Sequence, residues 1–371
     1  MYPRIRFTFF LLFLLYGLPA HLQIEVPFDS PAWEIGGNFH QLTVYQGQQA
    51  LTLQGAAAQL KDVQLQDGII EWDMAFSPQR GFAGLRFRIT DAANSEEFYL
   101  RSHQSGNPDA NQYCPVDNGM SSWQLFHGTD YSAAIEYPFH EWFHVKLVVA
   151  GSRAEVYIKD MTKPLFHIPH LTQTPTAGGL ALYASRTPVY FANFSYTPMD
   201  SNPPELVNPP VETPSVDPNT IREWDISQAF AEKELDGLLD LEQWDTPMNW
   251  TPLQADAGGL TNIAEVTTFQ RESANTVFVR YLIEATHQHT KALQLGFSDR
   301  ARVFFNGQVM FSGNDSFRTR DYRYLGTIGY HDTIYLPLKK GKNELWIAVS
   351  ENFGGWAVQG RWLKLDGLVA Q

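Results

Sequence analysis

Residues 197–220 read TPMDSNPPELVNPPVETPSVDPNT and divide the chain into two parts. This stretch holds seven prolines and four acidic residues, with neither a basic nor an aromatic residue. Proline fixes φ and has no backbone N–H group, so the stretch is incompatible with a helix or a central strand. We therefore predict an extended linker of polyproline II type over residues 198–220, between a first module at residues 23–197 and a second at residues 221–371.

The composition limits the class of partner. Hydrophobic content of 44% and aromatic content of 14% are sufficient for packed cores. The formal net charge of −13 argues against nucleic acid and anionic lipid, which both bind basic surfaces. The sequence has one cysteine, Cys114, so neither an intrachain disulfide nor a cysteine-based zinc site can form. We expect Cys114 to be a small buried side chain.

Residues 1–20 have the features of a secretory signal peptide. Arg4 and Arg6 precede an apolar run over residues 7–18, and Ala20 is the small residue expected before a cleavage site. The run is shorter than the roughly 20 residues that span a bilayer. We predict export to the periplasm, the cell surface or the extracellular space, with no membrane insertion after cleavage. The sequence leaves open whether this segment is cleaved or retained as an anchor.

Both modules alternate apolar and polar residues with a period of two. Residues 69–76, IIEWDMAF, place Ile70, Trp72 and Met74 on one face. Asn306-Gly307, between two alternating runs, is a strong hairpin signal because both residues of a type I′ turn have positive φ. The remaining strand-like runs are residues 84–90, 97–101, 123–126, 142–149, 154–158, 178–183, 189–194, 259–266, 276–283, 291–299, 301–311 and 336–349. Only residues 221–242 have some helical character, read as a strand and a short helical turn. Many short strands of this kind predict an all-β protein of two antiparallel jelly-roll sandwiches.

The first module resembles the concanavalin A-like lectin/glucanase fold, in particular laminin-G-like and 3-keto-disaccharide hydrolase-type modules. The resemblance is carried by the order of DGIIE (67–71), GLRFRI (84–89), FYLR (98–101), EWFHVKLVV (141–149), AEVYI (154–158) and GGLALYAS (178–185). It implies a carbohydrate on a polar sheet face, rimmed by the polar loop at residues 103–113. The candidate ligand-binding residues are Arg86, Arg88, Tyr99, Arg101, His103, Tyr113 and Gln124. The structural alternative is that the arginines are solvated strand positions paired with acids.

Two catalytic patterns in the first module do not have the geometry that their chemistry needs. Glu71-Trp72-Asp73 resembles the start of a glucanase Glu-x-Asp-x-x-Glu strand, but Phe76 stands where the second glutamate is required. Residues 140–144, HEWFH, match the zinc-protease pattern, which requires a helix. The pattern continues into a strand, where residues i and i+4 lie about 13 Å apart. We therefore leave the catalytic residues unassigned.

The second module resembles a galactose-binding-like jelly roll. The resemblance rests on LGFSD (295–299), VFFNGQ (303–308), LPLKKGKNELWIAV (336–349) and GGW (354–356). The candidate ligand groups are the loop at residues 318–322, with Arg320 and Asp321, and the tip at residues 352–356, with Trp356 as an exposed ring next to two glycines. The alternative is that Trp356 caps the sandwich and that Arg320 and Asp321 form a structural ion pair.

These observations predict an exported, lectin-like protein that binds an oligo- or polysaccharide and has no catalytic machinery of its own. One alternative is a hydrolase acting on small glycosides or 3-keto sugars. Another is a structural or adhesion module of a cell-envelope complex. We predict no cofactor: calcium is common in lectin-like sandwiches, but no Asp/Asn cluster here resembles a dedicated loop. Glycan identity, oligomeric state and protein partners are not readable from the sequence.

Overall fold

The computed structural model describes residues 22–211 and 215–369, so the predicted signal peptide lies outside the described residues. The strands of the first module form one antiparallel sheet of 13 strands. They are β1 (Ile24–Glu25), β2 (Trp33–Tyr45), β3 (Gln48–Leu60), β4 (Gly68–Phe76), β5 (Phe82–Ile89), β6 (Ser95–Arg101), β7 (Asn111–Asp117), β8 (Met120–Ser121), β9 (Phe143–Ala150), β10 (Arg153–Ile158), β11 (Phe166–Ile168), β12 (Gly179–Ser185) and β13 (Val189–Pro198).

This sheet curls over a single core because β3 joins its two halves. The order is β11-β10-β9-β4-β13-β3-β12-β5-β6-β7-β8, with β1 added to β13 and β2 to β3. The first part of β3 pairs with β13 and the second part pairs with β12. Side chains from both halves pack together, with Trp72 of β4 fully buried among them. The predicted inward alternation of Ile70, Trp72 and Met74 is confirmed.

The strands of the second module form two sheets that face each other across a second core. The strands are β14 (Glu223–Ser227), β15 (Trp250–Gln254), β16 (Thr261–Asn262), β17 (Thr276–Ala285), β18 (His289–Ser298), β19 (Arg300–Phe305), β20 (Gln308–Asn314), β21 (Asp332–Leu338), β22 (Gly341–Ser350) and β23 (Ala357–Trp362). One sheet has the order β15-β14-β17-β22-β19-β20 and the other β16-β23-β18-β21. The predicted hairpin turn is present, with φ of 48° at Asn306 and 91° at Gly307.

Regular helix is limited to short 3₁₀ turns. In the part of the chain that the structure describes, these are Ser102–Gln104, Glu232–Leu235, Leu241–Gln243 and Ile263–Glu265. The predicted all-β class is therefore confirmed. Among the same residues, no helix has the length and apolar character needed to cross a membrane.

The Pro-rich linker begins on the first module. Pro198 is the last residue of β13 and pairs with Gly68. The Asp200 carboxylate then accepts a backbone hydrogen bond of 2.7 Å from Asp67. Further along, the backbone N–H of Asn208 donates to Glu155 at 2.6 Å. The described part of the linker is thus attached to the surface of the first module by acceptor carboxylates.

Candidate functional site

The two modules meet at a turn over residues 122–126, of which residues 123–126 had been predicted to be a strand. The backbone N–H groups of Leu125 and Phe126 both donate to the Ser122 carbonyl, so the chain turns here and does not pair in the sheet. The prediction was wrong because the apolar side chains of this segment are buried against the other module. Tyr99, Cys114, Leu125 and Phe126 of the first module share one apolar cluster with Ile328 and Ala357 of the second.

Gln124 is the centre of this contact. Its backbone N–H donates to the Gly354 carbonyl at 2.7 Å, and its side-chain Nε2 donates to the Leu325 carbonyl at 2.7 Å. A Cβ at Gly326 would lie 2.1 Å from the Gln124 Nε2 atom, and a Cβ at Gly354 would lie 2.3 Å from Oε1. Only glycine therefore leaves room for this side chain. Gln124 was predicted to face a ligand, but its hydrogen bonds join the two modules.

A cavity of about 470 Å³ lies beside this contact, and we term it the intermodule cleft. Both modules contribute to its walls: Phe82, Tyr99, Arg101, His103 and Trp123 from the first, and Phe317, Arg318, Leu325 and Phe353 from the second. Its volume is in the range of sites for small organic ligands.

The first-module wall of the cleft is the face of β5 and β6 that points away from the core. Tyr99 and Arg101 alternate along β6 with Phe98 and Leu100, which are buried in the first-module core. Gly84 pairs with Tyr99 across the two strands. A Cβ at Gly84 would come within 2.6 Å of the Tyr99 Cα, so the absence of a side chain here leaves space for Tyr99.

Arg101 is the buried charge of the cleft, with an exposure of only 6%. Its guanidinium donates to the Tyr99 hydroxyl at 2.7 Å, to the Gln112 carboxamide and to the Asp109 backbone carbonyl at 3.0 Å. It also lies 4.8 Å from the Tyr99 ring centre and 5.8 Å from that of Trp123. All these partners are neutral, and Arg101 forms no ion pair with any described carboxylate. Its positive charge is held in place without being neutralised.

Aromatic rings from both modules converge at the cleft. The Trp123 ring centre lies 6.1 Å from that of Phe353 and 6.4 Å from that of Phe317. On the opposite side, Phe82 packs 6.1 Å from Tyr99. Phe353 remains 42% exposed. Ring faces of this kind, next to polar donors, suit ligands that have both C–H surfaces and hydroxyl groups.

Glu97 is the buried carboxylate of the cleft, and both its oxygens are engaged. Oε2 accepts a hydrogen bond from the Arg86 Nε at 3.3 Å, and Oε1 accepts one from the Tyr183 hydroxyl. The Arg86 guanidinium also lies 5.4 Å from the Tyr183 ring centre. Arg86 therefore forms an ion pair with an acid, which was the structural alternative to ligand binding. It lies just outside the set of residues that line the cleft.

The pKa of His103 is affected by the positive charges of the cleft. Burial lowers the pKa of His103, and the positive charges of Arg80 and Arg101 lower it further. The imidazole is therefore neutral at physiological pH and can donate or accept a hydrogen bond.

A second cavity of about 600 Å³ adjoins the cleft. The two cavities share Arg101, Asp109, Trp123 and Leu325 in their walls, and the second extends past His127. Arg101 and Trp123 therefore stand where two neighbouring cavities meet, which is suitable for a ligand longer than one small ring.

Arg88 does not share a face with Arg86, so this part of the prediction is wrong. The pairing of β5 with β12 shifts register between Gly179 and Ala181, and Arg88 has a φ of 49°. The shift turns its side chain inward, where it is 1% exposed and donates to Asp67 at 3.0 Å.

Tyr113 and Trp356 are also buried away from the cleft. Tyr113 lies in the first-module core, where its hydroxyl donates to Glu96 at 2.6 Å. Trp356 was predicted to be an exposed stacking ring, but it is fully buried and its Nε1 donates to the Val349 carbonyl at 3.0 Å. The alternative, a tryptophan that packs in the sandwich, is the one observed.

Arg320 and Asp321 support the second-module wall without forming the pair that was proposed for them. Arg320 bonds to Asp315 and, at 2.9 Å, to Asp332, whereas Asp321 pairs with Arg323 at 3.0 Å. These ion pairs stabilise the loop between β20 and β21, which supplies Phe317, Arg318 and Leu325 to the cleft.

Part of the site was therefore predictable from the sequence. Tyr99, Arg101 and His103 come together in the cleft; their ligand-binding role stays a prediction. The cleft residues that were not predicted include Arg80, Phe82, Trp123, Arg186 and Phe317. Arg318 and Phe353 lie in the loop at residues 318–322 and the tip at residues 352–356, which had been named as candidates. Phe353 lies three residues from Trp356, in the tip that the Gly354-Gly355 pair had marked as notable.

Residues of the two catalytic patterns set aside above, Glu71-Trp72-Asp73 and HEWFH (140–144), lie together on a surface away from the cleft. His144, in strand β9, donates from Nδ1 to Asp73 at 2.6 Å and from Nε2 to Glu71 at 3.3 Å. His140 precedes the strand with a φ of 61°, so the helix that a zinc protease needs is absent from this described segment, as predicted. Among the described residues, no group of three or more His, Cys, Asp or Glu is arranged to hold a metal ion.

This cluster predicts a pH dependence of stability. Hydrogen bonds to Asp73 and then Glu71 raise the pKa of His144 to about 9. Because the folded-state pKa lies above the ordinary value of about 6.5, the stabilisation is complete below that pH and is lost as pH rises through about 9. The His144 side chain is 33% exposed, so screening limits the effect to about 1–2 kcal/mol.

Denaturant unfolding of the wild type and of His144→Gln near pH 6 and near pH 10 measures this contribution. The difference in unfolding free energy between the two proteins should be largest near pH 6 and should shrink at the higher pH. A difference that is the same at both values would contradict the account of the cluster.

No protein-family model matches the sequence, and no curated protein matches it. Among solved structures, the chain is similar to the carbohydrate-binding module CBM66 from Bacillus subtilis, at 16% identity and a TM-score of 0.34, over 45% of this chain and 95% of that one. It is similar to a β-glucanase from Bacillus licheniformis at 11% identity and a TM-score of 0.34, over 47% and 97%. A protein of unknown function with a galectin-like fold from Bacillus subtilis has 13% identity and a TM-score of 0.34, over 44% and 88%.

These similarities extend to about half of the chain at low identity. The families predicted for the two modules stay predictions, and the function has to be argued from the cleft itself.

Proposed function

We propose that the protein is exported and that it binds a saccharide in the intermodule cleft. The observation that carries the proposal is the convergence, in one cavity, of aromatic rings from both modules with the buried guanidinium of Arg101. A pyranose ring presents C–H groups on its faces and hydroxyls at its edge. The Trp123 and Phe353 rings suit the faces, and Arg101 and His103 suit the hydroxyls.

The state of the carboxylates favours binding over hydrolysis. Glu97 and Asp109 both line the cleft, and a pair of carboxyl groups is what a glycosidase uses. However, the Glu97 oxygens are both taken up by Arg86 and Tyr183. Each oxygen already accepts a hydrogen bond from a side chain of the protein, which favours a structural role for this carboxylate. We therefore assign the cleft to recognition and not to catalysis.

The test is affinity electrophoresis of the full chain through gels that contain laminarin, arabinoxylan, galactan, polygalacturonate or dextran sulfate. We expect at least one polysaccharide to retard the wild type. Phe353→Ala and Trp123→Ala should then weaken the retardation by about tenfold, since interface aromatics commonly dominate binding. Trp142→Ala is the matched control, because Trp142 is also partly exposed but packs against Tyr45, outside the cleft. Retardation that is unaffected by both cleft variants would refute the assignment, as would no retardation in any gel.

A further inference from the structure

Four arginines line the intermodule cleft, and we infer from them that its ligand is an anionic saccharide, bearing carboxylate or sulfate groups. Arg101 lies on the sheet, Arg80 and Arg186 on the adjacent turns of the first module, and Arg318 on the facing loop of the second. This inference rests on the proposed function and specifies its ligand class.

The four guanidinium groups are distinguished by their position, because they line one cavity without a carboxylate partner. None of the four forms an ion pair with a described carboxylate, although acidic residues outnumber basic ones in the chain, 40 to 27. Of the eleven other described arginines, seven form an ion pair, three donate to a backbone carbonyl as Arg101 does, and Arg271 does neither. The paired arginines are Arg86, Arg88, Arg280, Arg300, Arg320, Arg323 and Arg361, and those with carbonyl partners are Arg153, Arg222 and Arg302.

The acids in the cleft offset only part of this charge, because Asp109 contributes one negative charge and forms no ion pair with the four arginines. The Glu97 carboxylate is used by Arg86 and Tyr183, and Asp109 offers Arg101 its backbone carbonyl. Three of the four guanidinium groups make cation–π contacts: Arg80 with Phe82 at 5.7 Å, Arg101 with Tyr99 at 4.8 Å and Arg318 with Phe317. Such contacts orient a guanidinium but leave its net charge uncompensated. The lowered pKa of His103, caused by burial and then by Arg80 and Arg101, agrees with a positive potential here.

An anionic sugar supplies the negative charge that the four arginines lack. Guanidinium groups bind carboxylate and sulfate oxygens through paired, charge-assisted hydrogen bonds, which are about twice as strong as neutral ones. A neutral sugar stacks on the same rings but leaves the four charges without a counterion. The overall charge of −13 repels a long polyanion elsewhere on the protein, so the positive cleft also selects where the ligand binds. Single-stranded nucleic acid also combines rings with negative charge, so oligo(dT) is titrated beside the polysaccharides as the competing ligand class.

The experiment compares matched neutral and anionic polysaccharides on the full chain by isothermal titration calorimetry. The pairs are methyl-esterified and free polygalacturonate, dextran and dextran sulfate, and hydroxyethyl and carboxymethyl cellulose. We expect the anionic member of at least one pair to bind about tenfold tighter or more, with affinity that falls as salt rises. The triple variant Arg80→Gln, Arg186→Gln, Arg318→Gln should lose this preference. All three side chains are exposed, so we expect the variant to fold, and circular dichroism checks this. Arg271→Gln, which removes an exposed arginine outside the cleft, should retain it.

Each outcome decides a different claim. Equal or tighter binding of the neutral members overturns the inference and leaves saccharide binding intact. A preference that the triple variant retains also overturns it. Tighter binding of oligo(dT) than of any saccharide overturns both the inference and the proposed function. Absence of binding to every member removes the proposed function and the inference with it.

Discussion

Replacing Arg101 with methionine should lower the affinity for the polysaccharide that binds the wild type most tightly by about 30- to 100-fold, because a buried arginine at the centre of a site is a typical hot spot. Arg101 touches both cavities and holds Tyr99 and Gln112 in position. Methionine keeps much of the apolar stem but removes the charge and five donors. Titration calorimetry measures the change.

Two further variants separate binding from folding. Arg101→Lys keeps the charge but loses the planar fork, so it should recover only part of the affinity. Arg153→Met removes an arginine outside the cleft and should bind as the wild type does. An unchanged affinity in Arg101→Met, with the fold intact by circular dichroism, would exclude Arg101 from the site.

Replacing Asp67 with alanine should destabilise the protein by about 3–5 kcal/mol, because it leaves the charge of Arg88 buried without its partner. The Asp67 Oδ1 atom accepts from the Arg88 guanidinium at 3.0 Å and from the Gly151 backbone N–H at 2.7 Å. Both side chains are almost fully buried. Burial lowers the pKa of Arg88, and the charges of Glu96 and Asp67 oppose that shift.

Denaturant unfolding measures this loss, and an exposed ion pair provides the control. Asp321→Ala removes a carboxylate from the exposed Arg323 and should leave stability nearly unchanged, because solvent screens this pair. The double variant Asp67→Ala, Arg88→Met should recover part of the loss, since it removes both charges. If Asp67→Ala costs no more than Asp321→Ala, the buried pair does not have the role assigned here.

Much of the fold was predictable because most strands alternate buried apolar residues with exposed polar ones. The largest exception is the β2–β3 hairpin, which was not predicted; β7 and β15 were not predicted either. Residues 48–60 are rich in Gln and Ala, and Gly36-Gly37 interrupts β2, so β propensity is low in both strands. They are specified by pairing with each other over 12 positions across the Gln46-Gly47 turn, where both φ values are positive. Pairing between two strands cannot be read from the residue pattern of either strand alone, so the hairpin was not predicted.

The site was predictable only where one module determines it. Alternation along β6 correctly placed Tyr99 and Arg101 on one face. The same rule failed at Arg88, because a register shift in β5 changes the side on which the residue lies. It carried no information about Phe317, Arg318 and Phe353, since nothing in a strand pattern states which loops of a second module will meet the first.

The central claim is that both modules form one binding site, and hydrogen–deuterium exchange of the full chain tests it most directly. The chain is compared with and without the polysaccharide that retards it most. We predict slower exchange in two separate segments, residues 99–112 of the first module and residues 317–326 of the second, with no change around His144. Protection confined to one module, or located on the surface around Glu71 and His144, would contradict the claim.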